Sequence, residues 1–223
     1  MQVNLQGHVQ EFLQRPGLSG EMVVLKGRTA ISVCLMLFLA CTVAVAHPHA
    51  FASSAVDVVF DEKGVAGFRV RWLFDEMFSS MILMDFDQDG DRKLNAAEIE
   101  GLKKGAFDNL RKFSWFTHIR VDGKPFAVKF VTDFSARVHK DKLIYQFFVP
   151  CHVAGRATPR NIAFSLYDKE YYCAILYIKN PVAYENDAGF AVEHRLETNR
   201  SAAYYYDMVY PEEILLRFKR ENG

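Results

Sequence analysis

The stretch DQDGDRKLNAAE, residues 87–98, lies between two segments of helical spacing in a chain that is otherwise rich in strand patterns. Apolar residues recur every three or four positions across residues 74–84, and they do so again across residues 99–113. This spacing is typical of amphipathic helices. We therefore expect a helix on each side of the acidic stretch, with the second helix ending near Ser114.

The acidic stretch has the ligand spacing of a calcium-type EF-hand loop, in which positions 1, 3, 5, 7, 9 and 12 supply oxygens. Leu94 at position 8 provides the apolar residue that pins such a loop to a core. The predicted ligands are Asp87, Asp89, Asp91, Asn95 and Glu98 through their side chains and Lys93 through its backbone carbonyl. Magnesium fits this set less well, because it prefers a strict octahedral site with retained waters.

A second register, starting at Asp85, would place Gly90 at position 6, where a glycine is expected. It would also place Ala96 at position 12 and lose the closing carboxylate. The Asp87 register keeps that carboxylate but puts Arg92 at the position that takes a left-handed turn. A residue other than glycine costs on the order of 1 kcal/mol there, so we expect weak affinity, in the roughly 0.1–1 mM range of extracellular modules.

Strand patterns dominate on both sides of this insert. Residues 51–60 and 65–73 predict a hairpin around the turn at 61–64, and residues 118–121 and 126–130 predict a second one around Asp122-Gly123. Further pairs are predicted for 133–138 with 143–149 and for 162–167 with 172–178, and weaker strands for 191–196 and 214–218. We therefore predict an α+β fold: a β-rich, sandwich-like domain, residues 47–223, with an inserted helix–loop–helix at about 74–114.

The first 46 residues have the pattern of a signal peptide. Lys26 and Arg28 precede an uncharged apolar run at 29–46, which ends in the small-x-small pattern Ala44-Val45-Ala46. Met22 is a possible start of translation. Cleavage after Ala46 would yield a periplasmic protein without a membrane span in the mature chain, although a single spanning helix or a lipid anchor at Cys41 are rival interpretations.

Cys151 and Cys173 are the two cysteines of the mature chain. An exported protein meets an oxidising compartment, so they could form a disulfide, or each could be a buried thiol on its own strand. The spacing does not decide between these alternatives.

The mature chain would begin His47-Pro48-His49. A free amine and two imidazoles form a plausible ligand set for nickel, cobalt, zinc or copper. Pro48 has no N–H and would block the square-planar mode that uses successive backbone amides. A disordered polar terminus without a metal is the alternative.

The composition argues against nucleic-acid binding, because Lys plus Arg and Asp plus Glu are equal at 27 each. The remaining mature histidines, such as His118 and His139, are scattered and form no metal-binding pair. No nucleophile motif or phosphate-binding glycine loop is present in the sequence, and we expect a protein that is not an enzyme.

Several of these segments together resemble an uncharacterised bacterial periplasmic family whose members are often labelled periplasmic components of an uncharacterised ABC-type transport system. They are residues 47–51, residues 70–76, the acidic loop, and residues 166–168 with Tyr171-Tyr172. The resemblance spans about residues 47–218. It implies a periplasmic location and association with nickel, cobalt or zinc transport systems, and the family loop commonly has glycine where this chain has Arg92.

The leading hypothesis is thus a periplasmic, metal-binding accessory protein for an inner-membrane transition-metal transporter, with structural calcium in the loop. One alternative is a calcium-stabilised envelope interaction module without a transition-metal role. Another is a copper enzyme that uses His47.

Overall fold

The computed structural model describes residues 48–221. The predicted signal peptide and His47 lie outside the described residues. Within 48–221, no helix is both long and apolar enough to cross a lipid bilayer.

The described residues are mostly β-structure, arranged in two five-stranded sheets. The strands are β1 (Ala50–Asp61), β2 (Gly64–Phe74), β3 (Thr117–Val121), β4 (Lys124–Phe126), β5 (Thr132–His139), β6 (Lys142–Ala154), β7 (Arg160–Leu166), β8 (Cys173–Glu185), β9 (Phe190–Thr198) and β10 (Glu212–Arg220).

The first sheet has the order β5-β6-β2-β1-β8. β1 and β2 form the predicted hairpin, and β5 and β6 form another, as the alternating patterns indicated. β8 runs parallel to β1, with Ala52 opposite Ile175. This pairing joins segments more than a hundred residues apart in the sequence.

The second sheet has the order β4-β3-β7-β10-β9. The predicted hairpin at Asp122-Gly123 is present, although β4 is shorter than expected. The predicted pairing of 162–167 with 172–178 is wrong, because β7 pairs with β3 and β10 whereas β8 belongs to the other sheet. The connection between β7 and β8 therefore crosses from one sheet to the other.

One hydrophobic core includes residues of both sheets. The rings of Phe68 on β2 and Phe164 on β7 lie 4.5 Å apart between centroids, and those of Phe60 and Phe218 lie 5.7 Å apart. Burial of such rings is the main stabilising contribution of a β-domain. This shared core is compatible with the sandwich-like arrangement expected from the sequence.

The helical insert lies between β2 and β3, as predicted. It contains helix α1 (Glu76–Phe86), helix α2 (Ala96–Gly105) and a 3₁₀ segment (Phe107–Phe116). The second helix ends earlier than expected, and the 3₁₀ segment closes with left-handed φ angles at Ser114 and Trp115.

Cys151 and Cys173 are free and buried. Cys151 lies on β6 and Cys173 on β8, which are separated by β2 and β1 in the first sheet. Since adjacent strands are about 4.8 Å apart, this separation is too long for a disulfide. Burial raises the pKa of each thiol to about 12, which keeps both protonated near neutral pH.

Candidate metal centre in the helical insert

Helix α1 is anchored to the first sheet by two polar side chains. Asp75 caps the helix by accepting from the Phe78 N–H at 2.9 Å, and its other oxygen accepts from the Phe51 N–H on β1 at 2.8 Å. Ser79 is fully buried, and its hydroxyl oxygen accepts from the Leu143 N–H on β6 at 2.8 Å. These contacts fix where α1 begins and attach its first turn to the first sheet.

Asp87 organises the first half of the loop. Its backbone N–H donates to the Leu83 carbonyl at 2.9 Å, which closes the last turn of α1. Its two carboxylate oxygens accept from the N–H groups of Gly90 and Arg92, at 3.0 and 2.9 Å. The first predicted ligand therefore also bends the chain around itself.

Asp89 and Asp91 continue this pattern along the loop. Asp89 accepts from the Asp91 N–H at 3.1 Å, and Asp91 accepts from the Lys93 N–H at 2.7 Å. Asp87, Asp89 and Asp91 each offer one carboxylate oxygen, and these three atoms lie within 4.8 Å of one another. Like charges at this separation repel, and a cation between them would relieve that repulsion.

Arg92 takes the left-handed conformation expected at its position, with φ of 61°. Its guanidinium bonds Asp141, in the turn between β5 and β6, at 3.0 Å. Both side chains are exposed, so the ion pair contributes little stability. The backbone conformation is thus the one that the loop spacing predicts, even without a glycine.

Asn95 and Glu98 form the cap of helix α2. Asn95 accepts from the N–H groups of Ala97 and Glu98, and the Glu98 carboxylate accepts from the Asn95 N–H at 2.9 Å. The other Glu98 oxygen accepts from the Gln88 N–H at 2.8 Å, across the loop. Glu98 is only 4% exposed, so it is a buried carboxylate held at the closing end of the loop.

The structure thus brings together three of the six predicted calcium ligands and places Glu98 and Asn95 in a capping arrangement beside them. Lys93 lies in the same loop, where it donates its N–H to Asp91.

His49, the other predicted metal ligand, lies away from this loop at the start of β1. Its backbone N–H donates to the Tyr172 carbonyl at 2.9 Å. Its side chain is exposed, and the centroid of its ring lies 5.0 Å from that of Tyr172. His47 lies outside the described residues, so the geometry of a joint site is not defined.

Sequence reasoning missed a second polar and aromatic cluster around His118. This histidine stacks on Tyr167, which follows β7, so the contact depends on the pairing of β3 with β7. No local spacing signals such a contact, because the two residues are 49 positions apart.

Two relatives are uncharacterised proteins. An uncharacterized 15.5 kDa protein of Spirochaeta aurantia is 35% identical over 132 residues, covering 58% of this chain and 93% of the relative. An uncharacterized protein of Haemophilus influenzae is 26% identical over 149 residues, covering 66% of this chain and 69% of the relative.

The family described as Protein of unknown function (DUF1007) matches residues 32–213. This match includes both sheets up to the start of β10 and the whole helical insert. The chain therefore belongs to the DUF1007 family.

Proposed function

We propose that this protein is a periplasmic, metal-binding accessory protein of a transition-metal transport system, stabilised by calcium in the 87–98 loop. The observation that carries the calcium part is the convergence of the Asp87, Asp89 and Asp91 carboxylates within 4.8 Å. Calcium takes six to eight oxygen ligands from short flexible loops, and carboxylates are its common ligands.

Two further residues of the loop support this proposal. Glu98 stands at the twelfth position, and to serve as a ligand it would exchange its N–H partners on Gln88 and Asn95 for the ion. Arg92 already has the left-handed backbone that the loop needs, at some energetic cost. The ion would neutralise the acidic cluster and stiffen the insert against the first sheet.

Calcium titration followed by amide NMR tests this assignment residue by residue. The amide signals of Gly90, Arg92 and Lys93 should shift together with a single saturation curve. The signals of Val121 and Gly123, in the β3–β4 hairpin of the second sheet, serve as an internal control and should keep their chemical shifts. Shifts spread evenly over both groups, or no shifts at millimolar calcium, would contradict a site in this loop.

The transition-metal part rests on His47 and His49 at the predicted mature terminus. The imidazole of His49 is exposed and lies just before β1, beside Tyr172, where a metal can reach it. Nickel, cobalt, zinc and copper are the candidates that imidazole and a free amine suit. The proposed partner is an inner-membrane metal transporter.

Titration of processed protein with nickel, cobalt, zinc or copper tests this second part. A site that disappears in the His47→Ala and His49→Ala variants supports metal handling at the terminus, and His139→Ala, an exposed histidine at the end of β5, is the matched control. Unchanged metal binding in both terminal variants would leave a calcium-stabilised interaction module as the function.

A further inference from the structure

Helix α1 carries three methionines on its solvent side, Met77, Met81 and Met84. Their side chains are 66%, 48% and 83% exposed, whereas Ile82 and Leu83 of the same helix are buried. Apolar residues at helical spacing normally face a core. These three form an apolar stripe in solvent instead, and exposed apolar surface of this kind is characteristic of an interaction site.

The three thioethers are spaced for a common contact point. Met81 lies four residues after Met77 and three residues before Met84. Side chains at these separations are neighbours on a helix surface, with Cβ atoms about 5–6 Å apart. The methionine side chain is unbranched and flexible. All three sulfur atoms can therefore meet above Met81 without a change in the backbone.

Helix α1 is a well-anchored support for the methionine stripe. Asp75 caps its first turn, the buried hydroxyl of Ser79 accepts from β6, and the Asp87 N–H closes its last turn. Ligand side chains on an anchored helix are held more precisely than those on a loop.

The charges of the helix favour a cation. Helix α1 contains no basic residue, and its two acidic residues, Glu76 and Asp85, are exposed. Lys142 pairs with Glu76 at 3.6 Å. Asp85 lies four residues after Met81, so its carboxylate is a neighbour of the stripe. The carbonyl end of the helix lies next to Met84 and adds partial negative charge.

The stripe is narrow, which favours an ion over a protein partner. Glu76, Ser80 and Asp85 border it, and all three are exposed polar residues. A stable protein interface buries about 800 Å² on each partner, far more than three side chains offer. Thioether sulfur is a soft, uncharged ligand of the kind that selects Cu(I).

We propose that Met77, Met81 and Met84 bind one soft, monovalent metal ion of the Cu(I) class through their three sulfur atoms. Calcium prefers hard oxygen ligands, so this site does not compete with the 87–98 loop for its ion. The site goes beyond the proposed function, because it needs neither His47 nor His49 and takes a different class of ion.

Titration of the full chain with Ag(I), a redox-stable analogue of Cu(I), in chloride-free buffer tests the proposal. NMR of isotope-labelled methionine methyl groups follows the titration, and only these signals are read because cysteine thiols also bind soft metals. The signals of Met77, Met81 and Met84 should shift together on one saturation curve. The signal of Met208, an exposed methionine outside the helix, should keep its position. Excess calcium should not reverse the shifts.

Met81→Leu keeps an apolar side chain of similar size and removes the central sulfur. Ag(I) binding should then weaken at least about tenfold, since even the loss of an outer-shell partner of a metal site costs that much. Met208→Leu is the matched control and should bind Ag(I) as the wild type does. Both side chains are exposed, so both variants should fold.

Four results would overturn the proposal. The signals of the stripe could fail to saturate, Met208 could shift with them, or calcium could reverse the shifts, which would place the ion in the acidic loop. The fourth is a Met81→Leu variant that binds Ag(I) as tightly as the wild type, which would leave the stripe as an apolar docking surface.

Discussion

The two-sheet core and the α-helices of the insert are held largely by different interactions. The core buries aromatic rings from both sheets, such as Phe68 and Phe164, with almost no exposed surface. The two α-helices of the insert bury few apolar side chains and are held by polar anchors, among them Asp75, Ser79 and the buried Glu98. The 3₁₀ segment of the insert instead packs its aromatic residues into the same core as the sheets. The core should therefore fold without a ligand, whereas the acidic loop depends on its charges and on what neutralises them.

The largest effect should come from opening a cavity between the sheets. Phe164→Ala removes a ring that is fully buried against Phe68, so the free energy of unfolding should fall by about 3–5 kcal/mol. Denaturant unfolding measures this loss. Met84→Ala on helix α1, where the side chain is 83% exposed, should stay within about 0.5 kcal/mol. Equal losses in the two variants would contradict the division between core and insert.

The anchor between the insert and the first sheet should have the next largest effect. Ser79→Ala leaves the Leu143 N–H without its acceptor in a buried place, which should lower the free energy of unfolding by about 1–3 kcal/mol. Ser80→Ala, on the exposed side of the same helix, is the matched control. If both serine variants unfold at the same denaturant concentration, the anchor does not hold the insert.

Calcium should stabilise the protein by a smaller amount that depends on Glu98. At a calcium concentration tenfold above Kd, mass action raises the free energy of unfolding by about 1.4 kcal/mol. The difference in unfolding free energy between chelator-treated and calcium-loaded protein should vanish in Glu98→Gln, because this variant removes the charge that closes the loop. It should persist in Glu100→Gln, two positions further along helix α2, where the side chain is exposed. A gain that survives Glu98→Gln would place the ion elsewhere.

The smallest effect should come from Arg92→Gly. Glycine relieves the left-handed backbone by about 1 kcal/mol, but its greater freedom in the unfolded chain offsets about 0.5–1 kcal/mol of that. The exposed pair with Asp141 contributes little, which Asp141→Asn can verify separately. We expect a net change in unfolding free energy below about 1 kcal/mol, and a loss above about 2 kcal/mol would mean that Arg92 has a structural role.

The sequence predictions were more accurate for the helical insert than for the pairing of strands in the two sheets. The positions of helices α1 and α2 were predictable because caps and helical spacing act within a few residues, and the left-handed turn at Arg92 followed from loop spacing alone. The pairing of β7 with β8 was predicted wrongly because six residues between two strands usually make a hairpin. Here Asp168 binds three N–H groups and turns the chain toward the other sheet.

Other features depend on contacts that no local pattern encodes. β8 pairs in parallel with β1, and this placement separates Cys173 from Cys151. The stack of His118 on Tyr167 forms because β3 pairs with β7 and brings Tyr167 alongside. Strand order across a sheet depends on long-range packing, so neither the thiol positions nor this stack could be derived from spacing.

Calorimetric titration of calcium into chelator-treated full-length protein is the most direct test of the loop assignment. Our account predicts one site per chain with a Kd of roughly 0.1–1 mM, the range of extracellular calcium modules. An absence of heat at millimolar calcium would show that the three clustered aspartates do not hold this ion.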